Sequence, residues 1–106
     1  MSMFTIFLTM RLKPGCLEAY RQAHEVLWPE IERSMRENEV SMAIHHEEGR
    51  LSIFAAAPSE AHWQRSRQEP ALARWDAWMT EFLEAGKPGK IAFRKPEKVF
   101  GFGEFK

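Results

Sequence analysis

The residues best suited to chemistry are Tyr20, His24 and Trp28, which recur at every fourth position. At about 100° per residue, this spacing drifts by only about 40° per step, so the three side chains share one face of a predicted helix. An imidazole exchanges protons near neutral pH, and a phenol and an indole bind the polar and apolar parts of a ligand. The stripe therefore predicts acid–base chemistry by His24. The alternative interpretation is that the aromatic residues only pack.

Pro29 directly follows this stripe. A proline inside a helix removes a hydrogen bond and pushes the preceding residue, here Trp28, out of helical geometry. In the simplest interpretation, Pro29 begins a second helical segment, with Glu30 favourably placed near its N-terminus. The kink is also expected to free backbone carbonyls near Glu25 and to create a polar depression beside His24.

The other candidate groups give no support to metal or cofactor chemistry. His45 and His46 are neighbours on a predicted strand, so their side chains point to opposite faces and cannot bind one ion together. His62 has no ligand partner at helical spacing. The sequence contains no glycine-rich phosphate loop, no nucleophile elbow and no Cys–His pair with a third member. We therefore expect no metal and no cofactor.

Length and composition are those of one globular domain spanning residues 1–106. The 15 basic and 15 acidic residues leave no net charge, so neither a nucleic acid nor a membrane is expected as a partner. Cys16 is the only cysteine and cannot form an internal disulfide. No basic start followed by a long apolar run is present, and a cytoplasmic protein is expected.

The elements that must position these residues follow from the periodicity of the sequence. Three segments, residues 3–12, 40–46 and 51–57, alternate between the two faces of a strand. A fourth segment, residues 91–102, is rich in Phe, Val and Gly and is predicted to be an extended strand. Residues 16–37 and 59–86 have helical periodicity, and a proline, Pro29 or Pro70, interrupts each. Ser59 is a suitable N-cap for the second of them.

The order strand, helix, strand, strand, helix, strand predicts an α+β protein of the ferredoxin-like βαββαβ class, with an antiparallel four-stranded sheet. Both helices lie on one face of such a sheet, and the other face stays bare. Phe7 and Phe54 are predicted to point to the bare face, and an apolar face of this size usually marks a partner surface. We therefore expect a homodimer that packs sheet to sheet.

Several pieces of the chain also form a recognisable set. They are Tyr20, His24, residues 28–31 (Trp-Pro-Glu-Ile), Trp63, Arg74 with Trp75, Met79 and residues 97–100 (Glu-Lys-Val-Phe). This set resembles the L-rhamnose mutarotase family over nearly the whole chain. The resemblance implies a dimeric α/β barrel of ferredoxin-like subunits that interconverts the α and β anomers of a 6-deoxyhexose pyranose without a cofactor.

The resemblance also implies roles at the matching positions. His24 would be the acid, Tyr20 a substrate contact and Trp75 a stacking platform, with Trp28 as a further substrate-binding residue. Mutarotation opens a hemiacetal by protonating the ring oxygen while the anomeric hydroxyl loses its proton, and the ring then closes on the other carbonyl face. A histidine suits this reaction because it both gives and takes protons near neutrality.

Two positions depart from the family pattern. Family members usually have a tyrosine where this chain has Met42, and a second tryptophan where it has Asp76. Both residues are predicted to belong to the substrate site. Asp76 would bind sugar hydroxyls or tune His24, and the alternative is an exposed helix aspartate. The expected monosaccharide is therefore L-rhamnose or a related deoxy or aldo sugar.

Two further functions stay open at this point. A cofactor-independent oxygenase on the same dimeric barrel is one, and likeness of fold alone supports it. A sugar-binding homologue that has lost catalysis is the other, because Met42 and Asp76 alter the family's set of residues.

Overall fold

A computed structural model of the chain describes residues 2–106. Its elements follow in the order strand, two helices, two strands, two helices and a final turn of 3₁₀ helix. They are β1 (Phe4–Arg11), α1 (Leu17–Glu25), α2 (Pro29–Glu37), β2 (Ser41–Glu47), β3 (Arg50–Ala57), α3 (Glu60–Ser66), α4 (Ala71–Met79) and the 3₁₀ helix Gly103–Phe105. The predicted α+β, ferredoxin-like class is confirmed.

The three strands form one antiparallel sheet in the order β1-β3-β2. A tight hairpin joins β2 to β3 through Glu48 and Gly49, whose φ angles of 49° and 80° are those of a turn that needs two residues in the left-handed region. The register pairs Met42 with Ala55, so that both side chains face the helices. The alternation read from the sequence therefore assigns the inward face of this sheet correctly.

Each long predicted helix is a pair of short helices. Trp28 is extended, with φ −60° and ψ 135°, and Pro29 occupies the first turn of α2, as the simplest interpretation of this proline predicts. The second pair begins at Ser59, whose Oγ accepts a hydrogen bond from the His62 backbone N–H at 3.2 Å. Pro70 precedes α4, which ends at Met79 and not near residue 86.

The predicted fourth strand, residues 91–102, is wrong as a strand. Only Arg94 pairs with the sheet, through two backbone hydrogen bonds of 2.9 Å with Thr9 of β1. Beyond it, Pro96 has no N–H for a ladder, and Val99 is 90% exposed, so no packing draws this segment onto the sheet. Within residues 2–106 the sheet is therefore three-stranded, with the chain returning beside β1 where a fourth strand would lie.

The helices pack on one face of the sheet and leave the other open. The core lies between them, and its most deeply buried side chains include Leu51, Met79 and Leu83. On the open face Phe7 and Phe54 are paired across β1 and β3, and they are 42% and 37% exposed. Among residues 2–106, no helix is both long enough and apolar enough to cross a membrane.

Candidate active site

A cavity of about 710 Å³ lies between the helices and the inner face of the sheet. We call it the His24 cavity, and its polar residues are Tyr20, Arg21, His24, His45, His46, Arg67 and Asp76. Most of the remaining lining is apolar, including Met42, Leu72 and Trp75. A cavity of this volume, mostly apolar with a few convergent polar groups, is typical of sites for small molecules.

His24 lies in the last turn of α1, where a hydrogen bond fixes its ring. Its Nδ1 is 2.9 Å from the backbone carbonyl of Tyr20, one turn back. A carbonyl only accepts, so Nδ1 carries the hydrogen, and in the neutral ring Nε2 has the lone pair. Burial lowers the pKa of His24, and the hydrogen bond to Tyr20 partly opposes this shift. At neutral pH the imidazole is therefore mainly uncharged, with Nε2 ready to accept a proton.

Tyr20 lies directly against this imidazole. The two rings are 4.3 Å apart between centroids and inclined by 42°. Burial, and the negative charge of Asp76 in addition, raise the pKa of Tyr20 well above its usual range. The phenol therefore keeps its proton across the physiological range and can act as a hydrogen-bond donor in the cavity.

Trp75 joins His24 to a cluster of aromatic residues. Its ring lies perpendicular to the imidazole at 5.2 Å and perpendicular to Trp28, also at 5.2 Å. Only 6% of Trp75 is exposed, so most of the indole is core and a small part of it lines the cavity. Trp28 stacks in parallel on Trp78 at 5.8 Å and does not line the cavity. It contacts the site through Trp75.

Five of the six residues that the sequence predicts for the site thus surround one cavity, namely Tyr20, His24, Met42, Trp75 and Asp76. Met42 is half-buried on the helix-facing side of β2. Asp76 is also half-buried, and burial raises the pKa of its carboxyl group, while the charges of Arg67 and Lys90 act in the opposite direction. The exposed-aspartate alternative does not describe this residue.

Arg67 is the functional candidate that the sequence analysis missed. It caps the C-terminus of α3 and lines the cavity. Its guanidinium carbon lies 4.6 Å from the centre of the Trp63 ring, one helical turn back. The four-residue spacing of Trp63 and Arg67 is the sequence signal that would have placed this cation on an aromatic face.

The other histidines have local contacts that suit structural roles. His46 accepts the backbone N–H of Gly49 in the hairpin at 3.0 Å, and His62 lies 2.7 Å from the capping hydroxyl of Ser59. Within the part of the chain that the structure describes, no three His, Cys, Asp or Glu side chains form a group that could hold a metal ion. His45 and His46 also line the cavity, and His24 is distinguished from them by the hydrogen bond that fixes its ring and by its contacts with Tyr20 and Trp75.

Comparisons with known proteins agree on one family. The sequence model of the L-rhamnose mutarotases matches residues 5–102. An L-rhamnose mutarotase from Burkholderia orbicola (strain MC0-3) is 26% identical over 101 residues, which cover 92% of this chain and 97% of that protein.

Two solved structures have the same fold. The crystal structure of an L-rhamnose mutarotase from Formosa agariphila superposes with a TM-score of 0.78 at 21% identity, covering 94% of this chain and 99% of that one. A proposed antibiotic biosynthesis monooxygenase from Bacteroides thetaiotaomicron superposes with a TM-score of 0.63 at 15% identity, covering 99% and 97%. At these identities, both likenesses bear on the fold alone.

Proposed function

This chain belongs to the L-rhamnose mutarotase family, and from that membership and the His24 cavity we propose that it interconverts the α and β anomers of L-rhamnose or a related deoxy or aldo sugar. It is an isomerase that needs no cofactor, because mutarotation changes no oxidation state and transfers no group between molecules. The observation that carries the proposal is the hydrogen bond of 2.9 Å between His24 Nδ1 and the Tyr20 carbonyl. This bond leaves Nε2 as the nitrogen that cycles a proton.

The proton cycle follows from the uncharged state of His24. Nε2 accepts the proton of the anomeric hydroxyl as the bond from the anomeric carbon to the ring oxygen breaks. The resulting imidazolium, stabilised by the Tyr20 carbonyl, is the acid that delivers the proton to the ring oxygen. After rotation about the bond between C1 and C2, the same steps run backwards on the other face of the aldehyde. No atom or charge is gained or lost.

The neighbouring residues fit the binding of a sugar. Tyr20 keeps its proton and donates a hydrogen bond to a sugar oxygen. Trp75 and Met42 present apolar surface to the C–H faces of the ring, and Asp76 accepts from a hydroxyl. Trp28 acts indirectly, because it packs perpendicular to Trp75 behind the cavity wall.

A homodimer is the second part of the proposal. Phe7 and Phe54 leave an apolar strip on the open sheet face, and the ring of Phe105 lies edge-on to Phe54 at 5.6 Å. A second copy that covers this face would remove these rings from water and complete a dimeric α/β barrel.

We place the reaction in the cytoplasm, because the single cysteine, Cys16, gives the chain no internal disulfide.

The oxygenase alternative rests on a likeness of fold, which does not determine chemistry. The non-catalytic alternative has to account for the retention of Tyr20 and His24 in contact inside one cavity. Family membership and this contact together favour the mutarotase.

Saturation-transfer NMR of anomeric protons tests the function. The purified chain should accelerate anomeric exchange of at least one sugar in a panel of aldohexoses and 6-deoxyhexoses that includes L-rhamnose. A folded protein that accelerates none of them would contradict the proposed activity. If the chain instead converted hydroquinones to a light-absorbing product and exchanged no anomers, the oxygenase would be identified.

A further inference from the structure

Phe93 is an inward-facing aromatic residue that stays 44% exposed. Its neighbour Arg94 pairs with Thr9, which lies on the open sheet face because Phe7 does and side chains of β1 alternate. Paired residues of antiparallel strands point to the same side of a sheet, and successive residues point to opposite sides, so Phe93 is directed towards the helices. The ring accordingly lines the His24 cavity. A second copy that covers the open face would therefore not cover Phe93.

The exposure of Phe93 is unusual among the aromatic side chains of the cavity. The Phe, Tyr and Trp side chains in the lining, among residues 2–106, are Tyr20, Trp75 and Phe93. Tyr20 and Trp75 are each 6% exposed, so most of their ring surface is already covered by the core. A ligand can stack only on ring surface that the protein leaves uncovered, and among these side chains Phe93 has the largest uncovered fraction.

The backbone on both sides of Phe93 is fixed. Arg94 is held to β1 by two backbone hydrogen bonds of 2.9 Å, and the Ala92 N–H donates to the Glu84 carbonyl at 3.1 Å. Two residues before Phe93, the side chain of Ile91 packs against the main core cluster. The ring therefore projects from an anchored segment, and a ligand that stacks on it does not have to order a loop.

A pyranose offers the matching surface. Its C–H groups form apolar patches between the hydroxyls, and the face of an aromatic ring covers such patches. Tyr20 as a donor and Asp76 as an acceptor supply polar contacts elsewhere in the lining, which suits a ligand that is apolar on one side and polar at its edge. A wholly apolar ligand would leave both polar groups unpaired.

We propose that Phe93 is the stacking platform of the His24 cavity, on which the C–H face of the sugar packs during anomeric exchange. The inference rests on the proposed function and adds a substrate-binding residue to it. Phe93 takes no part in proton transfer, because its ring carries no proton donor or acceptor. Its contribution is to hold the sugar in the cavity, and it therefore acts on KM and not on kcat.

Phe93→Ala tests the platform through the separation of KM from kcat. Anomeric exchange is measured by saturation transfer at several concentrations of L-rhamnose, or of the panel sugar that the wild-type chain exchanges fastest. KM should rise by roughly 5- to 20-fold, the range for a lost apolar and aromatic contact, while kcat stays within about threefold. An unchanged KM in the folded variant would overturn the proposal. Phe102→Ala is the matched control, because Phe102 is 78% exposed and lies outside the cavity lining, and neither constant should change.

The shape of the side chain separates stacking from simple filling of space. Phe93→Trp and Phe93→Tyr keep a flat ring and should retain a KM within about threefold of the wild-type value. Phe93→Leu keeps apolar bulk without a ring and should raise KM nearly as much as Phe93→Ala. A Phe93→Leu variant with the wild-type KM would show that any apolar side chain suffices, and it would contradict stacking. These variants also decide the question if Phe93→Ala does not fold by circular dichroism.

Two further results separate this residue from the dimer and from the reaction. Dissociation of a dimer in Phe93→Ala, measured by sedimentation velocity, would assign the ring to contact between copies and overturn the platform. If the wild-type chain exchanges no sugar, the proposed function fails, and the dissociation constant for L-rhamnose from saturation-transfer difference spectra then decides on Phe93 alone. The platform stands if Phe93→Ala weakens that binding by roughly 5- to 20-fold, and it fails if binding is absent or unchanged.

Discussion

At the scale of residues, His24 is distinguished by what its ring nitrogens contact. Nδ1 is held by the Tyr20 carbonyl, and Nε2 has no partner among residues 2–106. The four-residue spacing of Tyr20 and His24 predicts that the two share a helix face, and they do, with their rings in contact. The orientation of the imidazole could not be predicted, because it is set by the hydrogen bond to the Tyr20 carbonyl together with the contact of the ring with Trp75 of α4. Arg67 was missed because its place in the cavity wall depends on how the end of α3 packs, which the sequence does not show.

The pH dependence of exchange follows from the state of His24. Its lowered pKa, below the usual 6.5, leaves the ring uncharged at pH 7, and the cycle begins with this uncharged form. We expect catalysed exchange to be level between about pH 8 and 7 and to fall as the pH drops through the pKa of His24. The other side chains in the cavity lining that carry or can take up a positive or negative charge are Arg21, His45, His46, Arg67 and Asp76.

The measurement is the rate of anomeric exchange against pH, corrected for the uncatalysed reaction. The Asp76 carboxyl group, whose pKa is raised, also takes up a proton as the pH falls. Asp76→Asn removes this carboxyl group and is therefore the control. The acid limb should persist in this variant if His24 is responsible. A rate that rises on acidification from pH 8 to 6 would mean that the imidazolium is the active form of the free enzyme.

At the scale of elements, short helices are held together by aromatic packing. None of the four α-helices exceeds nine residues, and isolated helices of this length are marginal in water. The breaks at Pro29 and Pro70 were predictable, because a proline fixes its own φ angle and restricts the preceding residue. The absence of a fourth strand was not predictable, because residues 91–102 are rich in Phe and Val, as a strand is, and only the structure shows that Val99 and Phe100 stay exposed.

Trp75 is the centre of this packing, and its loss should first lower stability. It contacts His24, Trp28 and Trp78 with centroid distances of 5.2 to 5.4 Å, and it is 6% exposed. Trp75→Ala is expected to reduce the free energy of unfolding by about 3 to 5 kcal/mol. Urea denaturation measures this change through the midpoint concentration.

Phe102→Ala provides the matched control for this substitution, since Phe102 is 78% exposed and its removal should change the free energy of unfolding by less than about 0.5 kcal/mol. An unchanged midpoint for Trp75→Ala would show that the indole is dispensable for the core. Its role would then be restricted to the substrate, as the stacking platform that the family resemblance implies.

At the scale of the whole molecule, the open sheet face predicts assembly. The alternation of β1 and β3 correctly directs Phe7 and Phe54 away from the helices, and their exposure is confirmed. The sequence pattern cannot identify the partner, because any apolar surface could bury these two phenylalanines. We expect a dimer by sedimentation velocity at micromolar concentration.

Phe54→Lys should convert this dimer to a monomer, because it would bury an unpaired charge at the centre of the proposed interface. Val26→Lys is the matched control: Val26 is 80% exposed and follows α1, away from the open face, so the variant should stay dimeric. A wild-type chain that sediments as a monomer would rule out the dimeric barrel.

Proton cycling by His24 is the central claim, and the exchange rate of His24→Gln tests it most directly. Glutamine keeps a hydrogen-bond donor but cannot take up and return a proton. Removing a positioned general acid or base typically costs roughly 100- to 10,000-fold, so the barrier should rise by about 3 to 5 kcal/mol. His62→Gln, outside the cavity, should exchange sugar at the wild-type rate. A His24→Gln protein that is folded by circular dichroism and exchanges anomers at a near-normal rate would contradict the account.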